Sequence, residues 1–437
     1  MKKKIKLLII ISLIINSTAK AQSPWVLENS NVTGNGKEVY SMVVTSPLNV
    51  WTVIWNQNSG ITTGNEYTKT IDGGATWVVD TIRQATNYKF SSLAAINKDT
   101  AWVAMFKTTS TGGDIFRTFD GGTTWTIPDA SIYKSTTSFP DDIYFFDSKN
   151  GVCFGDAESG YFEIYTTSNS GSSWTRVPSS NIPAPLSGET GPSDVLSVHN
   201  NNIWVGTNKG RVLMSSDKGL TWSYGPAFGT STTIGAIAFK DSLNGIVLGS
   251  GTNNYRKTTN GGNTWSIFPL TGSYSYGFGK SFIYVKSSGT KPAMYICGGN
   301  SGTYKFATYS IDDGATWTKL DTMYHSCFGF YNSGVGWTGA FTSTVLSPYI
   351  YKIDSTVLGI QQYKKNEIIN VYPNPNNGTL NIHSQYELGL ITIYGVLGEV
   401  VYQQLIKENN VQVDLREKAS GIYIIRVGGQ FIKAFKE

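Results

Sequence analysis

The 437-residue sequence predicts an all-β protein, a seven-bladed β-propeller followed by a small antiparallel β-sandwich. Three observations predict it. One eight-residue phrase returns six times, its closing tryptophans 43–52 residues apart. Short apolar segments separated by polar turns surround each copy. Past Ile368 the phrase disappears, and short alternating segments with glycine turns take its place.

The phrase reads "TIDGGATW" at 70, "TFDGGTTW" at 118, "TSNSGSSW" at 167, "SSDKGLTW" at 215, "TTNGGNTW" at 258 and "SIDDGATW" at 310. A hydroxyl residue leads. Two places on stands Asp72, Asp120, Asn169, Asp217, Asn260 or Asp312, whose side chain can bond the amides of a tight turn. A glycine two residues later can take the positive φ that such a turn needs. Trp77, Trp125, Trp174, Trp222, Trp265 and Trp317 then open a strand with a large apolar face. A calcium loop also uses aspartate and glycine. Each phrase, however, holds only one or two carboxylates, and Asn169 and Asn260 replace the aspartate in two of them. A hydrogen-bonded turn tolerates that exchange, so the phrase is read as structural.

A period near fifty residues points to a propeller, solenoid or array. Within each unit a strand, a polar turn and a second strand ("NVWTV" with Trp51, "TAWVA" with Trp102, "NIWVG" with Trp204, "VGWTG" with Trp337) lead into a third strand. The phrase follows, and its tryptophan opens a fourth. Four short strands make a propeller blade. First strands begin near Val39, Phe90, Asp142, Asp194, Thr233, Lys280 and Ser326, which makes seven blades. The seventh unit stops short of its fourth strand. "SPWVLE" at 23–28 has Trp25 in the tryptophan slot, so it is expected to pair with the strand ending near Ile353 and close the ring. Closure removes free sheet edges. Residues 22–358 are therefore assigned to one propeller, with each phrase tryptophan expected between the strands of its own blade.

These repeats resemble Asp-box (BNR) repeats, found in sialidases, sortilin-type receptors and xyloglucan hydrolases. The blade pattern is most similar to propellers of the photosystem II assembly-factor type. That resemblance implies a fold, and the fold hosts many activities.

Both ends of the chain carry export signals. Lys2, Lys3, Lys4 and Lys6 precede an apolar run from Leu7 to Ile15, and Ala19-Lys20-Ala21 fits a small-x-small cleavage site. Residues 1–21 read as a secretory signal peptide, the apolar run being too short to span a membrane. Removing its five lysines takes the formal charge from +5 to zero, which gives no support to a nucleic-acid or anionic-membrane partner. Residues 359–367 read as a linker. From 368 to 437, about seven strands resemble the C-terminal type A sorting domain of the type IX secretion system of Bacteroidetes. Tyr372-Pro373-Asn374-Pro375, Gly378, "IYGVLGEVV" and Gly421-Ile422-Tyr423 carry that resemblance. It implies passage through the periplasm and across the outer membrane by that machinery, to a secreted or surface-attached product.

Chemistry is sparsely marked. The three cysteines (Cys153, Cys297, Cys327) lie in strand patterns and read as buried thiols. The three histidines are isolated, so neither a metal site nor a cofactor is expected. Strand order puts the repeated phrases at one end of the ring, and ligand sites are expected at the other. There the sequence offers Asp142, Asp156, Glu158 and Glu189 around blades 3 and 4, with Tyr274 and Tyr276 as an aromatic rim. No Arg-Ile-Pro motif accompanies the arginines, against a sialidase, and one propeller is present where xyloglucan hydrolases use two. The sequence supports a non-catalytic module binding a protein or glycan. Its rival is a secreted glycoside hydrolase using Asp156, Glu158 or Glu189, since paired carboxylates are what glycoside hydrolysis needs.

Overall fold

The computed structural model describes residues 24–34, 36–56, 64–250, 254–267, 271–272, 281–299, 305–341, 348–353, 369–384, 388–396, 398–427 and 430–437. The expected signal peptide and linker lie outside them. The chain divides into two compact units, Met1–Leu358 and Gly359–Glu437.

The first unit is a ring of seven blades. Their innermost strands, here called a, are Lys37–Val44, Tyr88–Ala95, Pro140–Phe145, Leu196–His199, Ile234–Phe239, Ser281–Val285 and Tyr324–Asn332. Strands b, c and d follow outward in antiparallel order. Residues from all seven a strands line a central cavity of about 590 Å³. The N-terminal strand Trp25–Glu28 is strand d of blade 7, with Trp25 opposite Ile353 and Glu28 opposite Ile350. Blade 2 departs from the four-strand expectation. Its outer strand is reduced to a single bridge between Arg117 and Thr126. Two residues on stands Pro128, which has no N–H for the next ladder bond.

The six repeated turns share one hydrogen-bond pattern. In the first, Thr70 Oγ1 accepts the Gly74 amide at 2.9 Å, and Asp72 Oδ1 accepts the Thr76 amide at 2.9 Å. Asn169 accepts the Ser173 amide at 3.0 Å, and Asn260 accepts the Thr264 amide at 3.0 Å. Asparagine therefore does the same work as aspartate. The glycine is held at positive φ, +90° at Gly122, where an added Cβ would lie 2.3 Å from the Tyr67 hydroxyl of blade 1. That hydroxyl donates to the Gly122 carbonyl at 3.0 Å, so the turn also joins two blades.

The phrase tryptophans pack between blades rather than within them. Trp125 of blade 2 meets Trp51 and Tyr67 of blade 1 edge-on, at ring separations of 6.3 and 5.6 Å. Trp77, Trp174, Trp222, Trp265 and Trp317 likewise sit in, or pack on, apolar clusters built from their own blade and the preceding one. Trp25 fills the seventh such place, with Met294 and Ile296 of blade 6 and Phe328 and Ile353 of blade 7. One tryptophan per blade junction follows from geometry. Blades splay apart outward, and a large flat ring fills the wedge that opens.

The second unit is a sandwich of a three-stranded and a four-stranded antiparallel sheet. Leu380, Ile382, Ile391, Ile393, Val413 and Ile425 form its core. Asn374 ties the Tyr372–Pro375 stretch to the last strand, donating to the Lys433 carbonyl at 2.9 Å and accepting the Phe435 amide at 2.8 Å. Gly378 takes φ +100°, Gly421 φ +149°, and the Tyr423 hydroxyl donates to the Ala419 carbonyl at 2.6 Å.

Candidate functional site at the end of the ring opposite the repeated turns

The repeated turns are c–d turns, so they share one end of the ring with the a–b turns. The b–c loops and the blade-to-blade connections form the other end. There the a strands start and the b strands finish. Tyr40 stacks on Trp55 with ring centroids 4.0 Å apart and planes 2° apart. Trp55 meets Phe106 edge-on at 6.4 Å, and Phe106 stacks on Phe139 at 4.7 Å. Four rings thus run across blades 1, 2 and 3, with Trp55, Phe106 and Phe139 half-buried. Tyr40 and Trp55 also line the central cavity, whose charged lining residues, among those described, are Glu38 and Asp194. Sequence reasoning missed this row. Its rings come from three blades, and no local spacing joins them.

The carboxylates expected at this end divide into two groups. Glu189 is 2% exposed. It accepts Arg211 Nε at 2.8 Å, the Thr207 hydroxyl at 2.8 Å and the Leu186 amide at 2.8 Å, and Arg211 Nη2 closes on its second oxygen. Burial raises its carboxyl, but the bonds from Arg211, Leu186 and Thr207 together outweigh this and leave it lowered. Glu189 is therefore a buried ion-pair residue and is removed from the expected ligand mouth. Glu158 accepts the Ser159 hydroxyl at 2.6 Å and Arg176 Nη1 at 2.9 Å, and these bonds lower its carboxyl. It is committed to a cation of its own blade.

Asp156 and Asp142 form the second group, with Asp141. Burial pushes Asp156 up to about 6. Asp141 and Asp142 are 1% and 2% exposed, and burial holds both well above the usual carboxylate range. Asp142 is thus inside the protein and not on an open rim. Tyr274 and Tyr276 lie outside the described residues. Of the other tyrosines near the connections, Tyr133 is fully buried and Tyr88 donates to Asp114 at 2.6 Å. All three cysteines are free and buried. Among the described residues, no group of three or more His, Cys, Asp or Glu side chains is arranged to hold a metal ion, and no helix is long and apolar enough to cross a membrane.

Residues 370–436 match the secretion system C-terminal sorting domain, and residues 148–352 match the DUF6242 beta propeller domain. No curated protein matches the chain in sequence. Among solved structures, YCF48 bound to D1 peptide is 14% identical with a TM-score of 0.51, over 76% of this chain and 96% of that one. PorZ, a surface component of the type IX secretion system of Porphyromonas gingivalis, is 14% identical with a TM-score of 0.51, over 92% of this chain and 59% of that one. The GH74 xyloglucanase from Xanthomonas campestris is 13% identical with a TM-score of 0.50, over 94% of this chain and 69% of that one. At such identities these likenesses show the fold alone. The chain is a β-propeller protein with a type IX sorting domain. That domain makes it a secreted or cell-surface protein.

Proposed function

We propose that the protein is an exported, non-catalytic binding module whose ligand, a protein or a glycan, seats on the end of the ring opposite the repeated turns. The row Tyr40–Trp55–Phe106–Phe139 beside the central cavity carries this reading. Flat apolar rings with polar edges stack on sugar faces and on peptide side chains alike. A propeller of the same fold is known with a peptide bound.

The hydrolase reading has one observation in its favour, a carboxyl near 6 at Asp156. A general acid needs such a value. Its carboxyl neighbour is Asp141, which is only 1% exposed. Glycoside hydrolysis places its two carboxyls roughly 5–10 Å apart with the sugar between them. Asp141 is buried away from any sugar, and Glu158 and Glu189 are paired with Arg176 and Arg211.

A glycan array and a peptide display library, probed with the mature protein, test the reading. The double variant Trp55→Ala, Phe106→Ala is expected to lose at least about tenfold in capture, since each stacked ring contributes on the order of 1 kcal/mol. Capture that survives both changes unaltered would place the ligand elsewhere. Delivery is tested separately. Deleting the chain from Ile369 onward is expected to leave a folded propeller that accumulates in the periplasm. Normal amounts of the truncated protein in the medium or on the surface would show that the last domain does not direct export.

A further inference from the structure

The sorting domain turns two unlike faces to solvent. Leu380, Ile382 and Val413 of its three-stranded sheet meet Ile391, Tyr423 and Ile425 of its four-stranded sheet in the core. Neighbours along a strand point to opposite sides, so the register fixes what each sheet turns outward. On the three-stranded sheet, strands Thr379–His383 and Asn410–Asp414 turn out polar residues throughout, and Gln412 Nε2 donates to Asn381 Oδ1 across them at 3.4 Å. A solvated sheet face normally has this pattern.

The four-stranded sheet differs. Strand Gly421–Val427 turns out Ile422, Ile424 and Arg426, and opposite them on strand Gln430–Lys436 stand Phe435, Lys433 and Phe431. Phe431 is 66% exposed and Phe435 41%, and Leu405 is exposed farther along the same face. The Arg426 guanidinium lies 5.8 Å from the centre of the Phe431 ring, and Lys433 Nζ lies 4.8 Å from that of Phe435. Among the described residues neither cation forms an ion pair. None of the described residues that the register turns outward here is an acid. Large exposed rings beside cations without a counter-charge mark an interaction surface.

We propose that this face, with Phe431 and Phe435 as its anchors and Arg426 and Lys433 beside them, is where the type IX secretion machinery grips the domain, through a protein surface that is apolar and acidic. The rings fit an apolar partner, and the two cations fit carboxylates next to it. A membrane surface is the other occupant open to such a face. Binding to anionic lipid is marked by clusters of about four to eight basic residues, more than Arg426 and Lys433 supply. The match to a secretion sorting domain points to the same kind of partner. The inference rests on that domain directing export, and not on what the ring binds.

Export of the full precursor by the cells that make it tests the face. Arg426→Glu with Lys433→Glu keeps both rings and reverses the charge. It is expected to cut delivery to the surface or medium at least about tenfold, with folded protein held in the periplasm. Phe431→Ser with Phe435→Ser is expected to do the same. Arg426→Lys with Lys433→Arg keeps the charge and is expected to export normally. So is Asn410→Glu with Gln412→Glu, which adds acid to the opposite face. Thermal unfolding of the purified full chains checks that the variants fold; should the serine or the charge-reversed chain fail, the other decides. Normal delivery of the charge-reversed chain overturns the proposal. An equal loss in the opposite-face control also overturns it, since net charge would then be the cause. So does binding of the wild-type chain to vesicles of phosphatidylglycerol and phosphatidylethanolamine that charge reversal abolishes, because the partner would then be lipid. Deletion from Ile369 onward separates the failures. Normal delivery without the domain overturns its sorting role, whereas loss on deletion with normal delivery of the charge-reversed chain overturns the face alone.

Discussion

Replacing Trp25 with alanine is expected to destabilise the propeller by about 3–5 kcal/mol, the range for truncating a large buried aromatic. Trp25 is 5% exposed and fills the junction between blades 6 and 7. Its indole N–H donates to Asp321 Oδ2 at 2.7 Å, and Asp321 also pairs with the buried His325 at 3.0 Å. Losing the indole opens a cavity and takes a donor from a buried carboxylate, so the effect goes beyond lost area. It also falls on the strand that holds the two ends of the ring together. Leu27→Ala on the same strand removes a side chain that is 55% exposed, and is expected to cost under about 0.5 kcal/mol. Equilibrium denaturation of the two variants measures the contrast. Equal stability would mean that the N-terminal strand is not what closes the ring.

Glu189→Leu is expected to cost a similar 3–5 kcal/mol, because it strands the Arg211 guanidinium in the interior without its counter-charge. Arg211 is 6% exposed and has few other acceptors. It donates to the Ala184 carbonyl at 3.0 Å and lies over the Tyr224 ring at 4.5 Å. The double variant Glu189→Leu, Arg211→Met is expected to recover most of the loss, since a buried pair replaced by apolar groups of similar size is close to neutral. Thermal or denaturant unfolding of the single and double variants completes the cycle. A harmless Glu189→Leu would show that the carboxylate is not committed to Arg211. A double variant no better than the single would place the cost in packing rather than charge.

What the sequence discloses depends on how far apart the partners lie. The repeated turns are legible because their bonds join residues two to four apart: Thr70 with Asp72 and Gly74, Asp72 with Thr76. Ring closure is legible because the missing strand of blade 7 and the spare Trp25 share one pattern. The junction role of the tryptophans is not legible, since nothing near Trp125 in sequence names Trp51 or Tyr67. The carboxylates mislead for the same reason. Glu158 lies 18 residues from Arg176, and Glu189 lies 22 from Arg211. A loop acid looks solvent-exposed until the fold supplies its cation. Asp142 reads as an ordinary strand opener, whereas the fold leaves it 2% exposed. The aromatic row requires three blades to be in place before its rings meet. The rim expected from Tyr274 and Tyr276 falls outside the described residues.

The proposal that this is an exported binder rather than an enzyme is tested most directly by one incubation read two ways. The mature protein is mixed with a panel of soluble and insoluble polysaccharides and with immobilised peptides, and both its depletion from solution and the release of new sugar ends are measured. The binding account predicts depletion on at least one member of the panel with no release. It also predicts that Trp55→Ala, Phe106→Ala abolishes the depletion and that Glu158→Gln leaves it unchanged. Release of sugar ends by the wild type that disappears in Asp156→Asn would contradict it, and would make the carboxyl pair of blade 3 a catalytic centre.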